Sequence, residues 1–153
     1  LRNFDIVFLI VLDSYHLLRL KPNVENSTRI HCTAIGKVLL AFQPTSDIEY
    51  YLEHTELVRY TANTIGDKDA FLKHLEEIRA QGYALNEEEE IEGVFGIGAP
   101  VFYSNGFLAG AVSTAIPTER LDRGLIPEKI DLVVNTARLI TRELGVVTIK
   151  ERG

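Results

Sequence analysis

Two glycines inside a strand-like segment place the strongest constraint on how this chain folds. Residues 93–115 are GVFGIGAPVFYSNGFLAGAVSTA, with glycine at Gly96 and Gly98. Glycine weakens the interior of a strand and often marks a bulge or a point of close approach. Asn105 and Gly106 separate the two apolar halves, and this dipeptide predicts a two-residue type I′ turn in which both residues have positive φ. The segment therefore predicts a β-hairpin with something pressed against its glycines.

The predicted turn determines which residues share a face of the hairpin. It places Gly96 opposite Ala115 and Gly98 opposite Ser113, and paired residues share a face because side chains alternate along each strand. The small residues of one face are Gly96, Gly98, Ala109, Ala111, Ser113 and Ala115, and the other face carries larger residues that include Phe95, Ile97, Val101, Leu108 and Val112. Protein interiors contain few voids. Either a closely packed helix or a bound ligand must therefore cover the small face.

Start and stop signals divide the rest of the chain into strands and helices. Apolar runs predict a buried strand over 5–12, a second strand that ends near Leu20, and hairpin strands over 93–103 and 107–116. Three helices follow the N-cap residues Thr33, Ser46 (in a capping box with Glu49) and Asp67, and Gly82 ends the third. A fourth begins at Pro127, buries Ile130, Val133, Val134, Ala137, Ile140 and Leu144, and ends at Gly145. Antiparallel strands with helices packed on one side predict an α+β fold.

Length and charge narrow the classes of function. The 153 residues suffice for one domain with its own core, and the net charge of −6 with a pI near 5.2 argues against direct binding of DNA. The apolar run at 4–12 is shorter than the roughly 20 residues of a membrane span, so we expect no membrane contact. The lone Cys32 excludes an intrachain disulfide. The chain starts at Leu1 and contains no methionine, which suggests a piece of a longer protein.

Two polar features could turn the small face into a ligand site. Ser113 offers a hydroxyl on that face, and ligand pockets are mostly apolar with a few placed polar groups. The helix that follows Thr33 offers backbone N–H groups that suit an anion, and Gly36 in its first turn permits close approach.

Catalysis and metal binding find less support in the sequence. Glutamates crowd residues 87–92, but consecutive side chains point in different directions, and such a run is usually a solvated face. His31 beside Cys32 lacks partners at metal-like spacing, so Cys32 is better explained as a small buried hydrophobe. Ser113 is not surrounded by a G-x-S-x-G elbow. We therefore predict neither an enzyme nor a cofactor.

Taken together, several segments resemble one family. HCTAIGKVLLAF at 31–42, YTANTI at 60–65, GYALNEEEEIEGVFGIGAPVF at 82–102 and GFLAGAVSTA at 106–115 resemble the effector-binding domain of IclR-type bacterial transcription regulators. The resemblance covers nearly the whole chain. It implies a GAF-like fold over residues 1–153, in which an antiparallel sheet and helices enclose a pocket for a small metabolite, often a carboxylate.

The resemblance also implies partners. Family members carry a winged helix-turn-helix domain ahead of this one, so DNA would be bound only through that separate N-terminal domain, which this chain lacks. They assemble as homodimers or homotetramers, and as transcription regulators they are cytoplasmic. The effector would modulate DNA binding from the domain described by this sequence.

Site residues carry over from the family position by position. The ligand-binding set implied in this way, together with Gly36, is Ala34, Ile35, Gly36, Asn86, Val94, Gly96, Ser113, Ala115, Leu17 and Leu20. Glu89 and Gly82 match the family signature. Four positions depart from the family pattern, namely Asn86, Gly96, Tyr103 and Ala115.

Two hypotheses follow. In the first, Gly96 and Ala115 give a roomier and less polar pocket, which would take a bulkier ligand such as a sugar acid or an aromatic acid. In the second, the domain is an oligomerisation or protein-interaction module with a vestigial pocket, and the run at 4–12 and the last helix supply its contacts.

Overall fold

A computed structural model describes residues 5–12 and 29–150, with side chains as far as residue 145. Its elements are α1 (Ala34–Ala41), α2 (Thr45–His54), α3 (Lys68–Gln81), β1 (Ala84–Glu87), β2 (Val94–Phe102), β3 (Leu108–Pro117) and α4 (Ile126–Lys150), with short 3₁₀ turns at Ile30–Cys32, Thr118–Arg120 and Arg123–Leu125. The described strands form one antiparallel sheet in the order β1-β2-β3. The predicted α+β class is confirmed.

The predicted register of the hairpin is confirmed next to its glycines. Gly96 pairs with Ala115 and Gly98 with Ser113. On the opposite edge of β2, Gly96 pairs with Asn86 of β1. Three strands therefore contribute one residue each to a rung made of Asn86, Gly96 and Ala115.

The turn of the hairpin differs from the prediction. Among the described residues only Gly106 has a positive φ in this turn, at 83°, so Asn105 does not take the conformation that a type I′ turn requires. The Gly106 N–H donates to Tyr103 O, and the register shifts between Val101 and Phe102. A four-residue turn that ends in a left-handed glycine and a bulge fits these bonds.

The bulge exchanges the faces of two neighbouring residues. Phe102 pairs with Leu108 and not, as the shorter turn predicted, with Ala109. Leu108 consequently packs against the core cluster on the α1 side, while Ala109 packs against the cluster on the α4 side. The predicted faces of these two residues were wrong because the turn is longer than two residues.

Local signals define the helix ends well, with two exceptions. The side chain of Thr33 accepts from the Gly36 N–H, that of Asp67 accepts from the Ala70 N–H, and Gly82 ends α3 at a φ of 81°. The predicted Ser46–Glu49 capping box is wrong, because α2 begins at Thr45 and Pro44 occupies its N-cap without a side-chain bond.

The second exception is the end of α4. The helix continues past Gly145 to Lys150. Glycine inside a helix costs only about 0.5–1 kcal/mol, so Gly145 does not by itself end α4. The predicted apolar stripe is buried at Val133 and Ala137, but Ile140 is exposed.

Helices cover both faces of the sheet, and not one face as predicted. Val133 and Ala137 of α4 pack against the large side chains of β2, including Phe95 and Ile97. On the other face, α1 and α3 form a second cluster around Val38, Leu40, Phe71, Leu75 and Ile78. Arg79 of α3 donates to Ala41 O and Gln43 O, which satisfies carbonyls at the end of α1.

The apolar run near the start of the chain is not a regular strand. Residues 5–12 contain a single bridge at Asp5, and a strand needs a paired neighbour along its length. Ile6 is buried, but Leu9, Ile10 and Leu12 are largely exposed. The predicted second strand, which ends near Leu20, lies outside the described residues.

Candidate functional site

The start of α1 lies over the small-residue face of the sheet. A Cβ atom placed on Gly98 would come within 2.8 Å of Ala34 O and 3.3 Å of Ile35 N. One placed on Gly96 would lie 3.2 Å from Asn86 Cβ and 3.3 Å from Ala34 Cβ. Residues from the helix, from β1 and from β2 thus converge at these two glycines.

These distances answer the question that the glycines pose. Real Cβ atoms are essentially never found below 3.0 Å from such backbone atoms, so Gly98 must be a glycine for α1 to approach β2 this closely. The space beside Gly96 is also filled, by Asn86 and Ala34. The glycines therefore admit a helix, and the effector site implied at Gly96 stays a prediction.

The exposed part of this face lies on β3. Ser113 and Ala115 are exposed beside the start of α1, whereas Ala34, Asn86 and Gly96 are buried and Ile35 and Val94 are half-buried. A ligand could therefore reach Ser113 and Ala115 directly but would meet the buried members of the set only at their edges. The predicted wall residues Leu17 and Leu20 lie outside the described residues.

The first turn of α1 supplies the electrostatics of the site. Helix starts carry partial positive charge because their first N–H groups lack intrahelical partners. Thr33 occupies one of these groups, because its hydroxyl accepts from the Gly36 N–H at 3.2 Å, and its carbonyl accepts the first intrahelical bond, from the Lys37 N–H at 2.9 Å. Ala34 and Ile35 precede them and lie closest to the sheet. Their N–H groups are the ones that could face an anion.

Gly36 has a different role from the one predicted. A Cβ atom there would lie 2.4 Å from Ile30 O and 2.6 Å from Ile30 Cα. Glycine is required at this position so that the 3₁₀ turn Ile30–Cys32 can pack on α1. The close approach that Gly36 permits is thus made by the chain itself.

A buried lysine beneath the site was missed by the sequence reading. Lys37 of α1 is fully buried, and its Nζ donates to Glu89 Oε1 and lies 3.3 Å from His74 Nε2. Lysine is almost never fully buried without a partner. A lysine between apolar residues in AIGKVLLAF was therefore a signal for a buried carboxylate elsewhere, and the glutamate run supplies it.

Burial controls the titration of this cluster. It lowers the pKa of Lys37, while the adjacent Glu89 carboxylate opposes the change. It also raises the pKa of Glu89, against the opposing charge of Lys37. Burial and then the Lys37 charge lower the pKa of His74. Burial disfavours the charged form of both Lys37 and Glu89. The opposite charge of the partner counteracts this effect in each case.

The glutamate run is not the solvated face that was predicted. Glu87 and Glu92 are exposed, but Glu89 is buried. The Glu89 N–H donates to Asn86 Oδ1 at 2.8 Å, and Glu89 O accepts from the Thr64 hydroxyl at 2.6 Å. The backbone of Glu89 is therefore hydrogen-bonded at both its amide and its carbonyl.

The segment YTANTI at 60–65 supplies side chains that bond to the backbone of the glutamate segment. The Thr61 hydroxyl donates to Glu88 O at 2.7 Å, and the Asn63 amide donates to Glu87 O at 2.9 Å. Thr64 is itself buried. Together with Thr64, these side chains bind three successive carbonyls of the glutamate segment.

Two clefts of the described surface are lined by residues outside the predicted set. One of about 440 Å³ is lined by residues of 53–57 with Gly66 and Lys68, and one of about 380 Å³ by residues that include His74, Glu87 and Glu89. Over the described ranges, no group of three or more His, Cys, Asp or Glu side chains could hold a metal ion. Cys32 is buried as predicted, and burial raises the pKa of its thiol to about 12.

No helix in the part of the chain that the structure describes is long and apolar enough to cross a membrane.

Comparison with known proteins identifies the family. The model of the family described as "Bacterial transcriptional regulator IclR C-terminal" matches residues 1–142. The HTH-type transcriptional regulator KdgR of Escherichia coli K12 is 34% identical over 141 residues, which are 92% of this chain and 54% of that protein. The chain thus spans about half the length of the curated relatives it matches.

Solved structures agree with this match. The C-terminal domain of E. coli KdgR has a TM-score of 0.69 and 35% identity, over 76% of this chain and 71% of that one. The inducer-binding domain of PobR from Acinetobacter, a double mutant in complex with 3-hydroxybenzoic acid, has a TM-score of 0.69 and 33% identity, over 73% and 66%. These neighbours confirm the predicted GAF-like fold.

The comparisons also bear on the class of activity. The relatives are named transcriptional regulators, which confirms the prediction that the chain is not an enzyme. The chain belongs to the IclR family of bacterial transcriptional regulators and corresponds to their C-terminal region.

Proposed function

We propose that this domain binds a small organic acid over the exposed part of the small-residue face, beside the start of α1. In this proposal the carboxylate accepts from the N–H groups of Ala34 and Ile35 and from the Ser113 hydroxyl, while Ala115 and Val94 contact its apolar part. Asn86, Gly96 and Gly36 shape the site from beneath.

The observation that carries the proposal is the convergence of a helix start with an exposed hydroxyl. Gly98 brings α1 onto β2, and Ser113 is the partner of Gly98 on the next strand. A helix start is suited to anions, and a single hydroxyl can orient the ligand. The similarity to an inducer-binding domain in complex with 3-hydroxybenzoic acid supports an aromatic acid as the first ligand to test.

The regulatory part of the proposal concerns the whole protein. We infer that a separate N-terminal domain binds DNA. The domain described by this sequence senses the effector in the cytoplasm, as part of a homodimer or homotetramer. An effector can change DNA binding only if it prefers one arrangement of the subunits over another. Its binding energy must therefore differ between the two arrangements.

A thermal-shift screen tests ligand binding. The domain is screened against carboxylates from two-carbon acids to sugar acids and aromatic acids, including 3-hydroxybenzoate. Ligand at about 100 times its Kd adds about 2.7 kcal/mol to the free energy of unfolding, which raises the Tm of a domain of this size by several degrees, roughly 5–11 °C. We expect one chemical class to give a saturable shift.

Two serine variants locate the site. Ser113→Ala should reduce the affinity of the active acid by roughly 10- to 150-fold, since a hydrogen bond to a charged group contributes about 1.5–3 kcal/mol. Ser104→Ala removes a hydroxyl from the exposed hairpin turn and should leave the affinity unchanged. Equal affinities for both variants and the wild type would place the ligand elsewhere.

Assembly is the second candidate function. Leu132 and Leu139 lie one heptad apart on α4 and are 68% and 51% exposed. An apolar stripe of this kind favours contact with another protein surface. A Tm that rises with protein concentration and ignores every acid in the panel would favour an assembly module.

A further inference from the structure

The buried Lys37–Glu89 pair joins the two elements that form the proposed site. Lys37 is three residues after Ala34 on α1. Glu89 is three residues after Asn86, the site residue on β1. The pair therefore links elements that are 52 residues apart in the chain. Among the ion pairs of the described residues, it is the one in which both side chains are buried.

Each end of the pair is coupled to a site residue through the backbone. The Lys37 N–H donates to Thr33 O and thus belongs to the same first turn as Ala34 and Ile35. The Glu89 N–H donates to Asn86 Oδ1, so the backbone of Glu89 and the side chain of Asn86 are bonded to each other. Both ends of the pair are thus bonded to the elements that form the proposed site.

Net stability does not account well for such a pair. Removing two charges from water costs several kcal/mol for each ion, and the attraction between them does little more than offset this. The pair instead fixes the relative position of the two elements, because Lys37 Nζ and Glu89 Oε1 must lie within hydrogen-bonding distance of each other. We infer that Lys37 and Glu89 are positioning residues that hold the start of α1 and Asn86 in register for the ligand. This inference rests on the proposed site.

The neighbouring groups are consistent with this role. His74 of α3 lies 3.3 Å from Lys37 Nζ, and Glu87 is the other carboxylate whose charge acts on Lys37. The imidazole of His74 also approaches Glu77, at 3.6 Å. Glu87 and Glu77 are exposed and neither is bonded to Lys37 in the described contacts, so Glu89 is the carboxylate that pairs with Lys37.

The test is amide hydrogen exchange by NMR on the 153-residue chain without ligand. Each single variant should act on the other element. Lys37→Met should speed exchange of the Glu89 N–H at least tenfold, and Glu89→Gln should do the same for the Gly36 N–H. The Val133 and Ala137 N–H groups of α4 serve as references and should stay within twofold of the wild type. Glu87→Gln, an exposed change in the same segment, should affect neither reporter.

The single variants leave one buried charge without its partner, and this could unfold the domain. A double variant still tests the inference in that case. Lys37→Met/Glu89→Leu removes both charges, and apolar replacement of a buried pair is often tolerated. We expect a folded domain in which the Gly36 N–H still exchanges at least tenfold faster. Wild-type exchange at Gly36 would overturn the inference, because apolar packing would then suffice. Equal acceleration at Val133 and Ala137 would also overturn it, since the pair would then act only on global stability.

A ligand measurement separates this inference from the proposed function. 3-Hydroxybenzoate, or the acid with the largest Tm shift, is titrated into the wild type and the double variant. A tenfold or larger loss of affinity in the double variant, with the fold intact, supports positioning. Unchanged affinity contradicts it. If no acid binds the wild type, the proposed function fails, and the exchange result alone decides whether the pair couples the two elements.

Discussion

The two faces of the sheet are packed by opposite means. On the α4 face, Phe95 and Ile97 present large side chains to Val133 and Ala137, and the helix stays at side-chain distance. On the α1 face, Gly98 lets the backbone of Ala34 touch the strand. Large side chains fill space and exclude water, whereas glycine brings backbone groups together. The first face is suited to stability and the second to a site built from helix N–H groups.

The comparison predicts that the α4 face depends on side-chain bulk. Ile97 is fully buried there, and Ile97→Ala should lower the free energy of unfolding by about 2–5 kcal/mol, because the change removes apolar contacts and leaves a cavity. Urea denaturation measures the loss. The same substitution at the exposed Ile91 should stay within about 0.5 kcal/mol of the wild type. Similar losses at both positions would show that burial against α4 is not what stabilises this face.

The α1 face should respond in the opposite sense, to added bulk. Gly98→Ala places a methyl group 2.8 Å from Ala34 O, so it should lower the free energy of unfolding by about 1–3 kcal/mol. Gly110→Ala is the matched control on β3, since a Cβ atom there has no neighbour within 4 Å. It should change the free energy of unfolding by at most about 0.5 kcal/mol. If both variants are neutral, α1 does not press on β2 as the distances indicate.

Local chemistry made much of the fold predictable. Thr33, Asp67 and Gly82 act on groups within four residues, so their caps and the helices they bound follow from the sequence. The pairing of Gly96 with Ala115 and of Gly98 with Ser113 was predicted from a two-residue turn, and it holds because the bulge next to Phe102 restores the register that the longer turn shifts. The hairpin turn was less predictable, since Asn-Gly fits more than one turn and tertiary packing selects among them.

Contacts between distant segments could not be read in the same way. Sequence spacing does not reveal that Lys37 meets Glu89, because loop closure over 52 residues leaves every glutamate of the run available. Likewise, the small face required a cover, but its identity depended on where α1 packs. The site positions came from the family resemblance, and physical reasoning alone identified only the helix start, Gly36, the glycine face and Ser113.

The faces should also differ in their response to pH. The cluster on the α4 side is apolar, whereas the α1 side contains His74, whose pKa is lowered by burial and by the Lys37 charge. The folded state then binds a proton at His74 less readily than the unfolded state does. Its contribution to the free energy of unfolding is therefore fully present above the ordinary pKa of 6.5 and is lost as the pH falls from there through the folded pKa.

A comparison of the wild type with His74→Gln isolates this contribution. Burial raises the pKa values of Glu89 and Glu90, which gives a dependence of the opposite sign, but both proteins share it. The difference in free energy of unfolding between the wild type and the variant should therefore shrink as the pH is lowered from 7.5 to 5. A difference that grows on acidification would mean that His74 is protonated in the fold, where it would lie beside a charged Lys37 at 3.3 Å. Because that arrangement places two like charges in a buried cluster, such a result would require Lys37 to have transferred its proton to Glu89.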